Sequence, residues 1–227
     1  MLPLGDKNPT RCLAVINMLL ISANVAAFIY QSFFSPMAPA DFIQRFGFVP
    51  SLLSSVDRLS PAEAGWIPLT LITGIFIHGG WFHLVSNMLF LWIFGDNVED
   101  RLGHGRYLIF YLLCGVLATL AHFCAHPASR LPTVGASGAI AGVMGAYLFL
   151  FPKARIRTLV VVVIFIKIVH LPAWFLIAIW MISQILSAYT ELATAQAAGV
   201  AWFAHIGGFM AGVLLLMALK PHSRAKA

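Results

Sequence analysis

The chain has 227 residues, 60% of them hydrophobic and only 10% charged, with a mean hydropathy of +0.89 and a formal net charge of +6. A soluble domain of this size carries about one-quarter charged residues, so the composition excludes one and leaves little room for a separate soluble domain. The fourteen Lys and Arg fall in small groups between apolar stretches, a pattern that suits loops obeying the positive-inside rule and argues against a nucleic-acid-binding face.

In chain order, residues 1–11 are polar and carry Pro3, Asp6 and Pro9. The apolar run 13–34 is of span length, since a helix needs roughly 20 apolar residues to cross a bilayer. Ser35-Pro36 ends it, and no small-residue cleavage site follows. It reads as a retained helix and not a signal peptide. Residues 35–80 read as a first outer loop, polar over 41–63, whose last part lies at the membrane interface as far as Gly79-Gly80. Spans two, three and four are expected at 81–98, 107–123 and 137–151, the fourth opening just after a glycine turn. The fifth and sixth follow at 171–189 and 200–219.

Residues 152–170 stand apart. Their uncharged core, 158–166, is too short for an upright helix, and its Val/Ile content favours extended structure. An interfacial or re-entrant loop element is expected, with a seventh span as the alternative. Cys12, Cys114 and Cys124 have no CxxC spacing and read as small packing residues rather than a disulfide framework or metal site.

Charge discriminates between six spans and seven. With six spans and the N-terminus inside, the cytoplasmic segments hold eleven basic residues: Lys7, Arg11, Arg101, Arg106, Lys153, Arg155, Arg157, Lys167, Lys220, Arg224 and Lys226. The outer loops hold three, Arg45, Arg58 and Arg130. The expectation is an all-α membrane protein with one membrane domain, six spans and both termini cytoplasmic.

Under that topology spans two, four and six run in the same direction. His83 and Asn87 then lie in the first turns of the second span, Ser137 opens the fourth, and His205 sits early in the sixth, all at similar depth near the outer face. Polar and ionisable groups inside a membrane are costly, face the bundle interior and are functional candidates by default. A serine hydroxyl is a poor nucleophile without a neighbouring base, and neutral imidazole suits that role. Donors for a developing oxyanion are available in His83 and Asn87, which share a helix face at i, i+4. The backbone N–H of Ser137 at a helix N-terminus is another. Gly138, Gly142 and Gly145 in the fourth span, with Ala204, Gly208 and Gly212 in the sixth, form small-residue series that let two helices approach closely.

The strings that carry these residues resemble those of the rhomboid intramembrane serine proteases, in their compact six-span bacterial form. They are His78-Gly-Gly-Trp-Phe-His83-Leu-Val-Ser-Asn87, Val98-Glu99-Asp100-Arg101-Leu102-Gly103, Gly135-Ala-Ser137-Gly138 and Ala204-His205-Ile-Gly-Gly208-Phe-Met-Ala-Gly212. The resemblance implies a rhomboid bundle in which Ser137 is the nucleophile and His205 the general base of a dyad. His83, Asn87 and the Ser137 N–H would form the oxyanion hole, with Gly135, Gly138 and Gly208 in support. It implies hydrolysis of peptide bonds in or beside transmembrane segments of other membrane proteins, lateral entry past the fifth span, no cofactor and no metal. The lipid bilayer of a bacterial inner membrane would surround it.

Two positions depart from the family pattern. Well-known members carry a Trp-Arg pair in the first outer loop, whereas here Trp66 precedes Ile67 and Pro68. Some members stack an aromatic residue, one turn after the serine, on the histidine; here that position is Ala141, so the base is expected to be oriented by other packing.

The remaining polar residues read as structural. His78 is expected to hydrogen-bond in the outer loop, and His122 and His126 to form a loop pair without a metal. Glu99 and Arg101 read as an interfacial ion pair, and His104, His170 and His222 as solvated. Trp81, Trp92, Trp174 and Trp202 fit interfacial belts and packing. Two rival functions fit the residues less well. A rhomboid-like binder of transmembrane helices in quality control usually loses the serine or histidine, and both are kept here. A transporter with a proton relay would carry acidic groups inside its spans, whereas the acidic residues here fall in loops or at span ends.

Overall fold

A computed structural model describes residues 1–162, 165–194 and 199–219. The basic C-terminal residues Lys220, Arg224 and Lys226, with His222, lie outside the described residues. Helix α1 (Val15–Ile29) runs on into a π-helical turn at Tyr30–Phe34. With that turn it is 20 residues long, and it is apolar enough to cross a membrane, as are α6 (His104–Ala125), α8 (Ala173–Thr194) and α9 (Trp202–Leu219). Helices α4 (Pro61–Phe76) and α5 (Trp81–Leu102) meet at 79° across the Gly79-Gly80 break. Helix α7 (Ser137–Leu150) is shorter, at 14 residues. The protein is a multi-pass membrane protein built mainly of helices.

Local sequence sets several of these ends. Ser60 and Glu63 form a reciprocal capping box ahead of Pro61, which starts α4. Gly103 takes φ +77 where α5 hands over to α6, a conformation that favours glycine. The segment expected as loop, 41–63, is instead largely helical, with α2 (Pro39–Phe46), α3 (Pro50–Ser54) and a short turn of 3₁₀ helix at Val56–Arg58. Proline at the first turn starts both α2 and α3, and α2 is amphipathic enough to bury Phe42.

The chain is mainly helical, in keeping with the all-α expectation, and adds to the helices a three-stranded antiparallel sheet in the order β1 (Leu2–Asp6), β2 (Arg155–Val162), β3 (Phe165–Pro172). The Val/Ile-rich strands β2 and β3 pair antiparallel, with Val162 opposite Phe165, in keeping with their composition. Its second partner comes from the N-terminus, with Leu2 opposite Leu159 and Asp6 opposite Ile156. Asp6 also anchors the sheet to the bundle, accepting a 2.6 Å hydrogen bond from the Tyr147 hydroxyl. Burial pushes the Asp6 carboxyl above the usual aspartate range, against the opposing pull of that bond.

Helix α7 is apolar all round and is buried from Gly138 through Tyr147, which makes it the central post of the bundle. Tyr107, Phe110, Tyr111 and Phe94 are fully buried in the same core, with the Phe94 and Tyr147 rings edge-on at 5.0 Å. Lipid tails are as apolar as these side chains, so helix association rests on close packing and interhelical hydrogen bonds. Asn17 supplies two of the latter: it donates to the Leu91 carbonyl at 3.1 Å and accepts from the Tyr107 hydroxyl at 2.8 Å.

Glu99 has other partners than the expected Arg101. Its buried carboxylate accepts the backbone N–H groups of Ile16 and Asn17, at 2.9 and 2.7 Å, and lies 2.5 Å from His104 Nδ1. His104 is therefore not simply solvated, and Arg101 lies over the Phe151 ring at 5.6 Å. The first turn of α1, short of intrahelical acceptors, is what places a carboxylate there.

Candidate active site

Helix α7 begins two residues after Gly135, whose φ of +112° suits glycine. A Cβ at Gly135 would come within 2.7 Å of the His83 imidazole. The Gly135 N–H donates to the Gly74 carbonyl on α4 at 2.9 Å, and Phe48 and Thr133 form an isolated antiparallel bridge just before it. Ser137 is thereby delivered at the first position of α7, half-buried, at the wall of a cavity of about 930 Å³.

Helix α9 brings the second group. Glycine lets it press against α7: a Cβ at Gly208 would strike the Gly138 carbonyl, and one at Gly212 the Gly142 carbonyl. Gly145 is in equal contact with the Phe209 carbonyl, 2.5 Å from where its Cβ would stand. At this separation His205 Nε2 lies 2.8 Å from Ser137 Oγ. His205 is 9% exposed. Its other ring nitrogen, Nδ1, is 2.7 Å from Gln184 Oε1 on α8. Sequence reasoning had not singled out Gln184; the signal available was an uncharged polar residue within an apolar helix. Trp180 and Trp202 flank the imidazole at ring-centroid distances of 5.8 and 6.1 Å, which supplies aromatic packing from α8 and α9 where Ala141 supplies none.

On the opposite wall, His83 Nδ1 accepts the Gly79 N–H at 3.3 Å. In the neutral ring the proton is then on Nε2, the atom next to Gly135. Asn87 follows one turn later. Its amide nitrogen is buried with no hydrogen-bond partner and lies 3.7 Å from where a Gly135 Cβ would stand. A buried donor left unpaired costs about 1–3 kcal/mol, and this one lies at the cavity wall. His83, Asn87, Ser137 and His205 all line the same cavity.

His78 is buried, with its Nδ1 3.3 Å from the Phe76 carbonyl and its own carbonyl accepting from Gln31 Nε2 at 2.9 Å. His122 belongs to the last turn of α6 and not to a loop, and Nε2 of His126 lies 3.8 Å from Glu191 Oε1. Among the described residues, no group of three or more His, Cys, Asp and Glu is arranged to hold a metal. Trp66 is secured without a following arginine: Arg45 lies over its ring at 4.8 Å, and its indole N–H donates to the Arg45 carbonyl at 2.9 Å.

Comparison with known proteins gives a match of residues 66–222 to the family model of the rhomboid domain. Rhomboid protease GluP of Bacillus subtilis is 40% identical over 104 residues, covering 44% of this chain and 20% of that protein. Rhomboid protein 1, mitochondrial, of Saccharomyces cerevisiae is 31% identical over 157 residues, or 64% of this chain and 40% of the relative. Putative rhomboid protease YdcA of Bacillus subtilis is 38% identical over 93 residues, 41% of this chain and 45% of the relative. The chain thus spans less than half the length of each of these three relatives.

Proposed function

The chain belongs to the rhomboid family, and on that footing we propose that it is an intramembrane serine endopeptidase that cuts peptide bonds in or near transmembrane segments of other membrane proteins. The observation that carries the reading is the 2.8 Å approach of Ser137 Oγ to His205 Nε2 beside the cavity.

In the proposed reaction Ser137 Oγ attacks the scissile carbonyl carbon while its proton passes to His205 Nε2. Negative charge develops on the carbonyl oxygen, within reach of His83 Nε2–H, Asn87 Nδ2–H and the Ser137 N–H, which has no intrahelical acceptor. The imidazolium gives its proton to the departing amine, leaving an acyl-serine. Water, deprotonated by the same imidazole, hydrolyses that ester and restores the hydroxyl. The small-residue contacts at Gly138 and Gly208 hold the two helices at the required spacing, and Gly135 leaves room for His83.

The proposed topology has six spans, α1, α5, α6, α7, α8 and α9, with both termini cytoplasmic and the site near the outer face of a bacterial inner membrane. Reporter fusions at Lys167 and Lys226 test it, and both are expected to report inside.

The deciding experiment is cleavage of a tagged transmembrane substrate by purified protein in liposomes. Wild type is expected to cut and S137A and H205A are not. Equal cleavage by all three would sink the dyad assignment.

A further inference from the structure

We infer that Gln184 on α8 is a positioning residue for the proposed base, holding His205 in the one neutral tautomer that leaves a lone pair facing Ser137. The inference rests on the dyad reading above and adds a third residue to it.

The orientation of the Gln184 amide follows from its neighbours. Its Nε2 lies 3.2 Å from the Trp180 carbonyl and 2.8 Å from Ser183 Oγ. A backbone carbonyl can only accept, so the amide nitrogen belongs on that side. The Ser183 hydroxyl spends its own proton on the same Trp180 carbonyl at 2.6 Å, which leaves its oxygen lone pairs to receive the amide N–H. The Gln184 oxygen is therefore the atom that faces His205, 2.7 Å from Nδ1. An amide oxygen is an acceptor only, so Nδ1 of neutral His205 carries the proton and Nε2 does not. The unprotonated nitrogen is the one 2.8 Å from the Ser137 hydroxyl.

The opposite tautomer would set a lone pair on Nδ1 against the lone pairs of Gln184 and leave Nε2 unable to accept the serine proton. A third group that fixes the base in this way is a general requirement of nucleophile–base pairs. With Gln184 buried at 5% exposure, no bulk water competes for Nδ1. The triad is thus drawn from three helices, α7, α9 and α8, and its third member is uncharged.

Liposome cleavage kinetics of Q184M and Q184E, beside S137A and H205A, test this. Q184M keeps the side-chain length and removes the acceptor. Its kcat is expected to fall about 10–100-fold, between no effect and the roughly ten-thousandfold effect of losing an orienting aspartate, with KM within twofold and the thermal midpoint near that of wild type. Q184E returns an acceptor oxygen to Nδ1 and is expected to recover most of the lost kcat. Wild-type kcat in Q184M would overturn the inference. So would a Q184E no faster than Q184M, because a merely structural glutamine would not be rescued by the acceptor. If S137A and H205A are inactive in either of those cases, the dyad stands and only the role of Gln184 falls; if they cleave like wild type, the dyad reading itself has failed.

Discussion

The Gly138 carbonyl of α7 lies directly against the α-carbon of Gly208 in α9, with no room for a methyl group between them. One residue before the first and three before the second stand Ser137 and His205, so this backbone contact sets the distance between their side chains. Substituting Gly208 by alanine is expected to force the helices apart, costing about 1–3 kcal/mol of stability as overpacking does. A displacement of the order of 1 Å can lower a catalysed rate about 100-fold, and cleavage by G208A is expected to fall accordingly. G105A, at a position where an added Cβ meets nothing within 4 Å, is the control and should alter neither the unfolding midpoint nor the rate.

Asn87 carries a buried amide donor without a partner. If that donor waits for the oxyanion, N87A should lower kcat about 100–1000-fold with KM little changed. Its unfolding midpoint should stay near that of wild type, because the Asn87 amide nitrogen bonds to no described residue. Wild-type turnover in N87A would remove this residue from the site.

Glu99 joins α5 to the first turn of α1 and to His104. E99A leaves two buried backbone N–H groups without their acceptor, so a loss of about 1–3 kcal/mol is expected. E99Q, which keeps one acceptor oxygen, should lose less. Unfolding midpoints in one detergent provide the comparison, and an E99A as stable as wild type would show that α1 is secured by other contacts.

Asp6 is held above the usual aspartate range by burial, so the fold binds its proton more tightly than the unfolded chain does. Its contribution to stability is then fully present below the unfolded value of about 3.9 and is lost as pH rises through the folded value. D6N should gain stability relative to wild type as pH is raised across that window, measured as the difference in midpoint between the two proteins. A difference independent of pH would show that the carboxyl is not penalised by burial.

The serine and histidine were visible in the sequence because each is a polar residue set among glycines in an apolar stretch, and span parity gave them a common depth. Gln184 was not visible. It lies 21 residues before His205 in a helix with no motif around it, and only the packing of α8 on α9 joins the two. The same limit applies to the sheet: the Val/Ile run announced extended structure, but nothing local to 152–170 points to Leu2–Asp6 as its neighbour. Proximity along the chain points Glu99 to Arg101, whereas its partners include amides some 80 residues away. Long-range polar pairing is what a linear reading of periodicity and charge does not contain.

The stitching of 35–80 to the turn before α7 makes this segment part of the framework of the candidate site. Phe48 is bridged to Thr133, and Gly74 accepts from Gly135, whose α-carbon abuts His83. A displacement of that segment would reach Gly135 through a single hydrogen bond, and through Gly135 the imidazole of His83, proposed above as an oxyanion donor. Grafting the corresponding segment of another family member onto this bundle would therefore import a different geometry at the candidate site along with a different surface.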